Sequence, residues 1–250
     1  MTSKHGQISF PGTTALEVCL EKRFGPFCLE VDFELAEVGI TVVFGPSGAG
    51  KTTFLNLLAG LERPDRGFIR YRDRVFYDSS LGLIIPPEKR NLSYVFQQPR
   101  LFSHFSVATN LLFSARFCGR KVAKDSFDRV VDILGLRPLL SRQPHTLSGG
   151  ESQRVAIGRA LLSRSLQSLP LMLMDEPLSS LDRSRKTELL DYVVRIPGQF
   201  GVPIIYVTHS EDELLFLADQ VLNINSGRST LLSGTDFEKV IIPLSLGKAG

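Results

Sequence analysis

Apolar positions along the chain follow two different spacings, and the change from one to the other marks its organisation. At 27–35 the run FCLEVDFEL alternates apolar with polar residues, which predicts a half-exposed antiparallel strand. At 40–44, ITVVF is apolar throughout and runs into a glycine-rich loop. It reads as a buried strand, with a helix following over 51–59. Further edge strands are expected within 67–77 (GFIRYRDRVFY), and a short strand entering a loop at 93–96 (SYVF). From about 97 to 168 the spacing shifts to three and four, which predicts helices at 107–118, 127–134 and 149–163. Beyond that, the apolar run LPLMLMDEP at 169–177 is a strand, followed by helix 182–194, strand 203–208 and helix 211–218.

Strands alternating with helices make a parallel sheet. The expected fold is α/β: a mixed sheet with an antiparallel β region near the N-terminus and an inserted α-helical subdomain at 97–168. One domain is expected over 1–250, with its core drawn from 1–96 and 169–235. From Gly234 onward one short helical candidate precedes PLSLGKAG, too little apolar sequence for another domain, so 236–250 is a tail.

Composition narrows the function classes. With 43% hydrophobic and 22% charged residues among 250, disordered and fibrous chains are excluded. A net charge of +3 is too small to imply a nucleic-acid partner, and none is expected. Cys19, Cys28 and Cys118 are too few and too far apart for a disulfide framework or a metal cluster, so they are expected as buried small hydrophobes in a reducing cytosol. No apolar run approaches the roughly 20 residues of a membrane helix, and 1–11 lacks the apolar centre of a signal peptide. Any membrane role is expected to come through a partner.

The chemistry concentrates in a few places. Gly45, Pro46, Ser47, Gly48, Ala49, Gly50, Lys51 and Thr52 fit G-x-x-x-x-G-K-[ST], followed by Thr53, between a buried strand and a helix. Glycines let consecutive N–H groups turn onto phosphates, the helix N-terminus adds positive potential, Lys51 reaches the β/γ-phosphates and Thr52 ligates Mg²⁺. Asp175 and Glu176 end an apolar strand at the edge where parallel sheets bind ligands. Neighbouring residues there point apart, so Asp175 can enter the Mg²⁺ shell while Glu176 acts as the base toward water. His209 follows the next strand and can lie beside Glu176; capping the following helix is the plainer alternative. Gln97 offers an amide oxygen to Mg²⁺ or water, and Gln98 is chemically equivalent. Ser148 opens a predicted helix with Gly149, Gly150 and Glu151, where it can cap or donate to an anion.

With these residues collected, the chain resembles the ATPase subunits of ABC transporters over about 24–234. GPSGAGKTT matches Walker A, YVFQQ the Q-loop with Gln97 in the family position, LSGGE the signature, LMLMDEP Walker B, SSLD at 179–182 the D-loop, and His209 the switch histidine. The resemblance implies a P-loop NTPase of the ABC ATPase type that uses ATP and Mg²⁺. It also implies a head-to-tail homodimer, with ATP held between Walker A of one subunit and Ser148, Gly149 and Gly150 of the other. Phe24 is at the family position for adenine stacking, with Phe27 as competitor. Glu151 stands where many members have Gln.

Integral membrane permease subunits would be the direct partners, and an extracytoplasmic substrate-binding protein an indirect one. The chain would then sit at the cytoplasmic face of the membrane. The segment 99–107, with Leu101, Phe102 and Phe105, is either a groove for a permease helix or part of the core. PPEKRNLSYVFQQPRLFSHFSVATNLLF, SGGESQRVAIGRALLSR and YVTHSEDELLFLADQV are most similar to the ATPases of molybdate or tungstate importers, and relatives for sulfate, polyamines or sugars share much of this wording. Many of those proteins continue into a β-rich domain that binds the oxyanion. Because this sequence stops at Gly250, feedback through such a domain is not expected.

Overall fold

The computed structural model of the chain describes residues 14–36, 39–117, 119–163 and 171–233. Strands β1 (Thr14–Phe24) and β2 (Phe27–Ala36) form an antiparallel hairpin with Phe24 opposite Phe27. Leu16, Val18 and Leu20 of β1 point inward while Cys19 is exposed, the period-two pattern of a sheet wet on one side. Strands β4 (Arg66–Tyr71), β5 (Arg74–Asp78) and β6 (Leu83–Ile84) extend this flank from β1, each antiparallel to its neighbour. On the other flank β3 (Ile40–Phe44), β7 (Leu92–Val95), β8 (Leu171–Asp175) and β9 (Ile204–Val207) run parallel, with β3 and β9 buried throughout. The hairpin of β10 (Gln220–Asn225) and β11 (Arg228–Ser233) joins the flanks: β10 lies parallel to β3, and β11 meets β2. The described strands thus form one sheet of eleven, in the order β6-β5-β4-β1-β2-β11-β10-β3-β9-β8-β7.

Helices cover both faces. α1 (Lys51–Ala59) packs Phe54, Leu55, Leu57 and Leu58 with Leu173, Ile205 and Val207 and with the antiparallel strands. The opposite face, with Val42, Met172, Met174 and Tyr206, is covered by α2 (Val107–Phe117), α3 (Lys124–Ile133), α4 (Gly149–Ser163), α5 (Arg183–Val193), α6 (Ile196–Phe200) and α7 (Glu211–Leu217). The helices within 97–168 share one apolar cluster with the sheet, through Leu111, Val130, Val155, Ile157 and Leu161.

Arg90 secures the far end of α1. Its buried guanidinium donates to Leu57 O and Leu58 O at the end of α1 and to Ile85 O in the segment after β6, at 2.7 to 2.8 Å, adding to the Gly60 N–H that Leu57 O also accepts. Burial lowers its pKa to about 10.

One expectation is corrected. Cys19 is exposed and Cys28 half-buried, because both fall on the outward side of the alternation in β1 and β2; neither is a core residue. Cys118, residues 169–170 of the expected strand, and the tail beyond 233 lie outside the described residues. β1, β6, the β10–β11 hairpin and α6 complete the architecture in addition to the expected elements. Among the described residues, no helix is long and apolar enough to cross a membrane.

Candidate functional site

The site is assembled by the strand ends of the parallel flank. Val207 of β9 pairs with Val43 on one side and Asp175 on the other, so the segments leaving β3, β8 and β9 emerge together at one edge. The first is the phosphate loop. Gly45 passes so close to β10 that a Cβ there would lie 2.0 Å from Ile224 O, which only glycine allows. Gly50, at φ 104°, turns the loop into α1. Lys51 is 6% exposed, and its ammonium donates to Gly45 O at 2.8 Å and Pro46 O at 2.9 Å. Burial lowers its pKa, opposed by the charges of Glu176 and Asp175.

Thr52 donates from Oγ1 to Asp175 Oδ1 at 3.1 Å. Tyr94, from β7, donates to Asp175 Oδ2 at 3.4 Å and was not anticipated from sequence. Burial raises the Asp175 pKa, against the Thr52 hydrogen bond that lowers it. The pairing of a hydroxyl with a carboxylate suits a hard divalent cation that takes its other ligands from substrate phosphates and water. Among the described residues no cluster of three His, Cys, Asp or Glu could hold a metal by itself.

Glu176 leaves β8 with φ 43° and points Oε1 at His209 Nδ1, 3.1 Å away. His209 does not cap α7; Ser210 does, accepting the Glu213 N–H. A cavity of about 400 Å³ is lined by Phe24, Phe27, Ser47, Gly48, Gly50, Lys51, Thr52, Thr53 and Glu176. Both aromatic candidates reach it. Phe24 is 44% exposed with the Lys22 ammonium 5.3 Å from its ring, whereas the Phe27 ring packs beside Gly50 and Gly227. A larger groove of about 620 Å³ lies on the outward face of the antiparallel strands around Cys19, Asp32 and Arg66 and has none of the phosphate-loop groups.

The structure separates other expected site residues from this cavity. Gln97 Nε2 donates to Ser179 Oγ at 3.0 Å, and that hydroxyl donates to Glu176 O at 3.0 Å. Gln97 therefore braces the backbone behind Glu176 and does not line the cavity. Ser148, Gly149, Gly150 and Glu151 do not line it either. Ser148 and Glu151 form a capping box at the start of α4: Glu151 N–H donates to Ser148 Oγ at 3.2 Å, and Ser148 N–H to Glu151 Oε2 at 2.7 Å. The Ser148 N–H holds the Glu151 carboxyl below the usual glutamate range, with Arg142 Nη1 3.3 Å from its other oxygen adding to the effect. The Ser148 hydroxyl accepts in this box, and the Ser148 side chain also helps to lower the Glu151 pKa.

A glycine-built phosphate loop between strand and helix, with paired carboxylates and a histidine at the neighbouring strand ends, defines a P-loop nucleotide-binding domain. Residues 28–179 match the family described as ABC transporter, and the chain belongs to that family. It is 49% identical over 217 residues to the Molybdenum import ATP-binding protein ModC of Brucella abortus, covering 87% of this chain and 59% of that protein. Identity to the protein of the same name from Paramagnetospirillum magneticum is 47% over 213 residues, covering 85% and 57%. The chain thus spans a little under three-fifths of the length of these curated relatives.

Among solved structures, CbiO1 of Clostridium perfringens, part of the ABC transporter complex CbiONQ, superposes with a TM-score of 0.75 at 26% identity, covering 93% of this chain and 92% of that one. An ATP-binding cassette of an ABC transporter in its ADP conformation gives 0.77 at 22% identity, covering 95% and 100%, and supports the fold.

Proposed function

We propose that the chain is the ATP-hydrolysing subunit of an ABC importer and powers uptake of an oxyanion, molybdate or tungstate, through a membrane permease. The observation that carries the hydrolytic reading is the Glu176–His209 contact of 3.1 Å at the same sheet edge as Lys51 and the Thr52–Asp175 pair. The choice of ion rests on the likeness to proteins named for molybdenum import.

In this reading the N–H groups of 45–53 and the Lys51 ammonium bind the triphosphate, and the loop's rigid turn into α1 fixes its direction. Thr52 and Asp175 would hold Mg²⁺, which supplies charge neutralisation on the phosphates when bound. Glu176 accepts the proton of the attacking water, a step that contributes about 10²- to 10⁴-fold. His209 holds the Glu176 carboxylate in its working orientation and faces the γ-phosphate. Phe24 stacks on adenine.

Ser148, Gly149 and Gly150 lie outside their own chain's cavity. They serve the partner's ATP, so closure of a homodimer completes each site. Gln97, tied to Ser179 and through it to Glu176, passes movement of the permease-facing segment to the base. The subunit works at the cytoplasmic face of the membrane, bound to its permease, and a separate extracytoplasmic protein selects the ion.

The test is reconstitution with the permease in vesicles, with ATP hydrolysis measured as binding protein loaded with molybdate, tungstate or sulfate is added. Stimulation by the first two is expected. Stimulation by sulfate alone would overturn the ion assignment, and hydrolysis that ignores permease and binding protein would overturn the importer reading.

A further inference from the structure

Glu213 is 3% exposed and lies outside the nucleotide cavity, yet its carboxylate has three donors. Oε2 accepts from the Thr208 hydroxyl at 2.8 Å and the Tyr206 hydroxyl at 2.9 Å, and Oε1 pairs with Lys186 Nζ at 3.1 Å. These groups come from β9, the turn after it, α5 and α7, so one carboxylate ties together three elements. A buried ion pair surrounded by apolar packing is a poor source of net stability. Its hydrogen bonds are directional, however, and here they converge on the turn that carries His209.

Thr208 shows how. Its Oγ1 donates to Glu213 and accepts the Ser210 N–H at 3.0 Å, so the residues on both sides of His209 are held by one hydroxyl. The Ser210 side chain then receives the Glu213 N–H, closing the loop of contacts around the histidine. Burial, with the neighbouring carboxylate adding to it, raises the Tyr206 pKa well above its ordinary value, so this phenol stays a donor.

We infer that Glu213 is a positioning residue for hydrolysis, fixing the turn at 208–210 so that His209 Nδ1 meets Glu176 Oε1. Through Lys186 it also ties that turn to α5, the helix that Asp182 caps at the end of the 179–182 segment. The inference rests on the proposed roles of Glu176 and His209.

Glu213→Gln keeps the shape but replaces one acceptor oxygen with a donor nitrogen, so either Lys186 loses its acceptor or the Tyr206 and Thr208 hydroxyls must turn from donating to accepting, and the ionic pairing is lost in both cases. Misplacement of a catalytic group by about 1 Å costs on the order of 10²-fold. Glu213→Gln is expected to lower kcat about 10- to 100-fold, leave ATP affinity unchanged, and cause no further loss in a His209→Ala background. The chain has four histidines, so the ring ¹⁵N signals of His209 can be assigned by its substitution, and they should shift in the resting Glu213→Gln protein.

Equal losses in the wild-type and His209→Ala backgrounds, or unmoved ring signals, would overturn the proposal. If His209→Ala itself leaves hydrolysis intact, the functional reading of His209 falls, while the ring signals still decide whether Glu213 sets its orientation. Should Glu213→Gln fail to fold, Thr208→Val is expected to reproduce both effects and Thr208→Ser to restore wild-type behaviour. Matching losses in those two variants would sink the idea.

Discussion

Glu176 meets His209 across 3.1 Å while its own backbone sits at φ 43°, a left-handed conformation that costs a non-glycine residue about 1–3 kcal/mol. The strain is sustained because both backbone polar groups are occupied: the N–H by Val207 O at 3.0 Å, the carbonyl by Ser179. The carboxylate is therefore aimed by the main chain as well as by the imidazole. Glu176→Gln should lower the hydrolysis rate about 10²- to 10⁴-fold while ATP binding persists. Because ATP would then remain bound, size-exclusion chromatography with ATP should show an accumulated dimer. Near-wild-type turnover in this variant would remove Glu176 from the role of base.

The two cavity aromatics can be told apart by what each loses on truncation. Phe24 is exposed, so Phe24→Ala should leave the melting temperature nearly unchanged and weaken ATP binding by about 1 kcal/mol, roughly fivefold, measured by calorimetry. Phe27 packs beside Gly50 and Gly227, so Phe27→Ala should mainly lower the melting temperature. Weaker binding with Phe27→Ala alone would move the adenine to Phe27.

Glu151 is placed to cap α4, and Glu151→Ala should cost about 1 kcal/mol in denaturant unfolding. Glu151→Gln keeps the reciprocal bond and should cost little. The pH dependence follows from the lowered pKa of the folded state: the charge-dependent part of this contribution is fully present above the ordinary glutamate value of 4.5 and is lost as pH falls through the lower folded value. The stability gap between wild type and Glu151→Ala should therefore be full near neutral pH and shrink below about pH 4. A gap that stays constant over that range would remove the carboxylate from the cap.

Arg90→Met should leave the carbonyls of Leu57, Leu58 and Ile85 without their buried donor. A loss of about 3 kcal/mol is expected, seen as a fall of roughly 6–12 °C in melting temperature by calorimetry. An unchanged melting temperature would mean that water satisfies those groups.

How far the site could be read in the sequence depended on whether its signal was local. α1 was expected at 51–59 and is Lys51–Ala59, because its apolar spacing is bounded by glycines at both ends. Asp175, Glu176 and His209 were legible as the ends of short apolar runs, and they do meet at one edge. Tyr94 and Glu213 were not legible as site residues. Their partners come from other elements, and no spacing along the chain records that Tyr94 faces Asp175 or that Lys186 faces Glu213. β1 carries the alternation LEVCLE but falls outside the expected elements, and α6, with five residues, is too short to show a period. Exposure of Cys19 and Cys28 follows from that same alternation, which outweighs the general tendency of cysteine to be buried.

The pairing of Val207 with both Val43 and Asp175 has a consequence for how the site can fail. Successive residues of β9 face opposite cores, Tyr206 one and Val207 the other. A slip by one position would move His209 about 3.3 Å along the strand and turn every β9 side chain to the wrong face. The register of β9 is therefore counted in whole residues, like teeth on a gear. A single-residue deletion in β9 should abolish the alignment at once, whereas smaller shifts of the turn at 208–210 only reduce it.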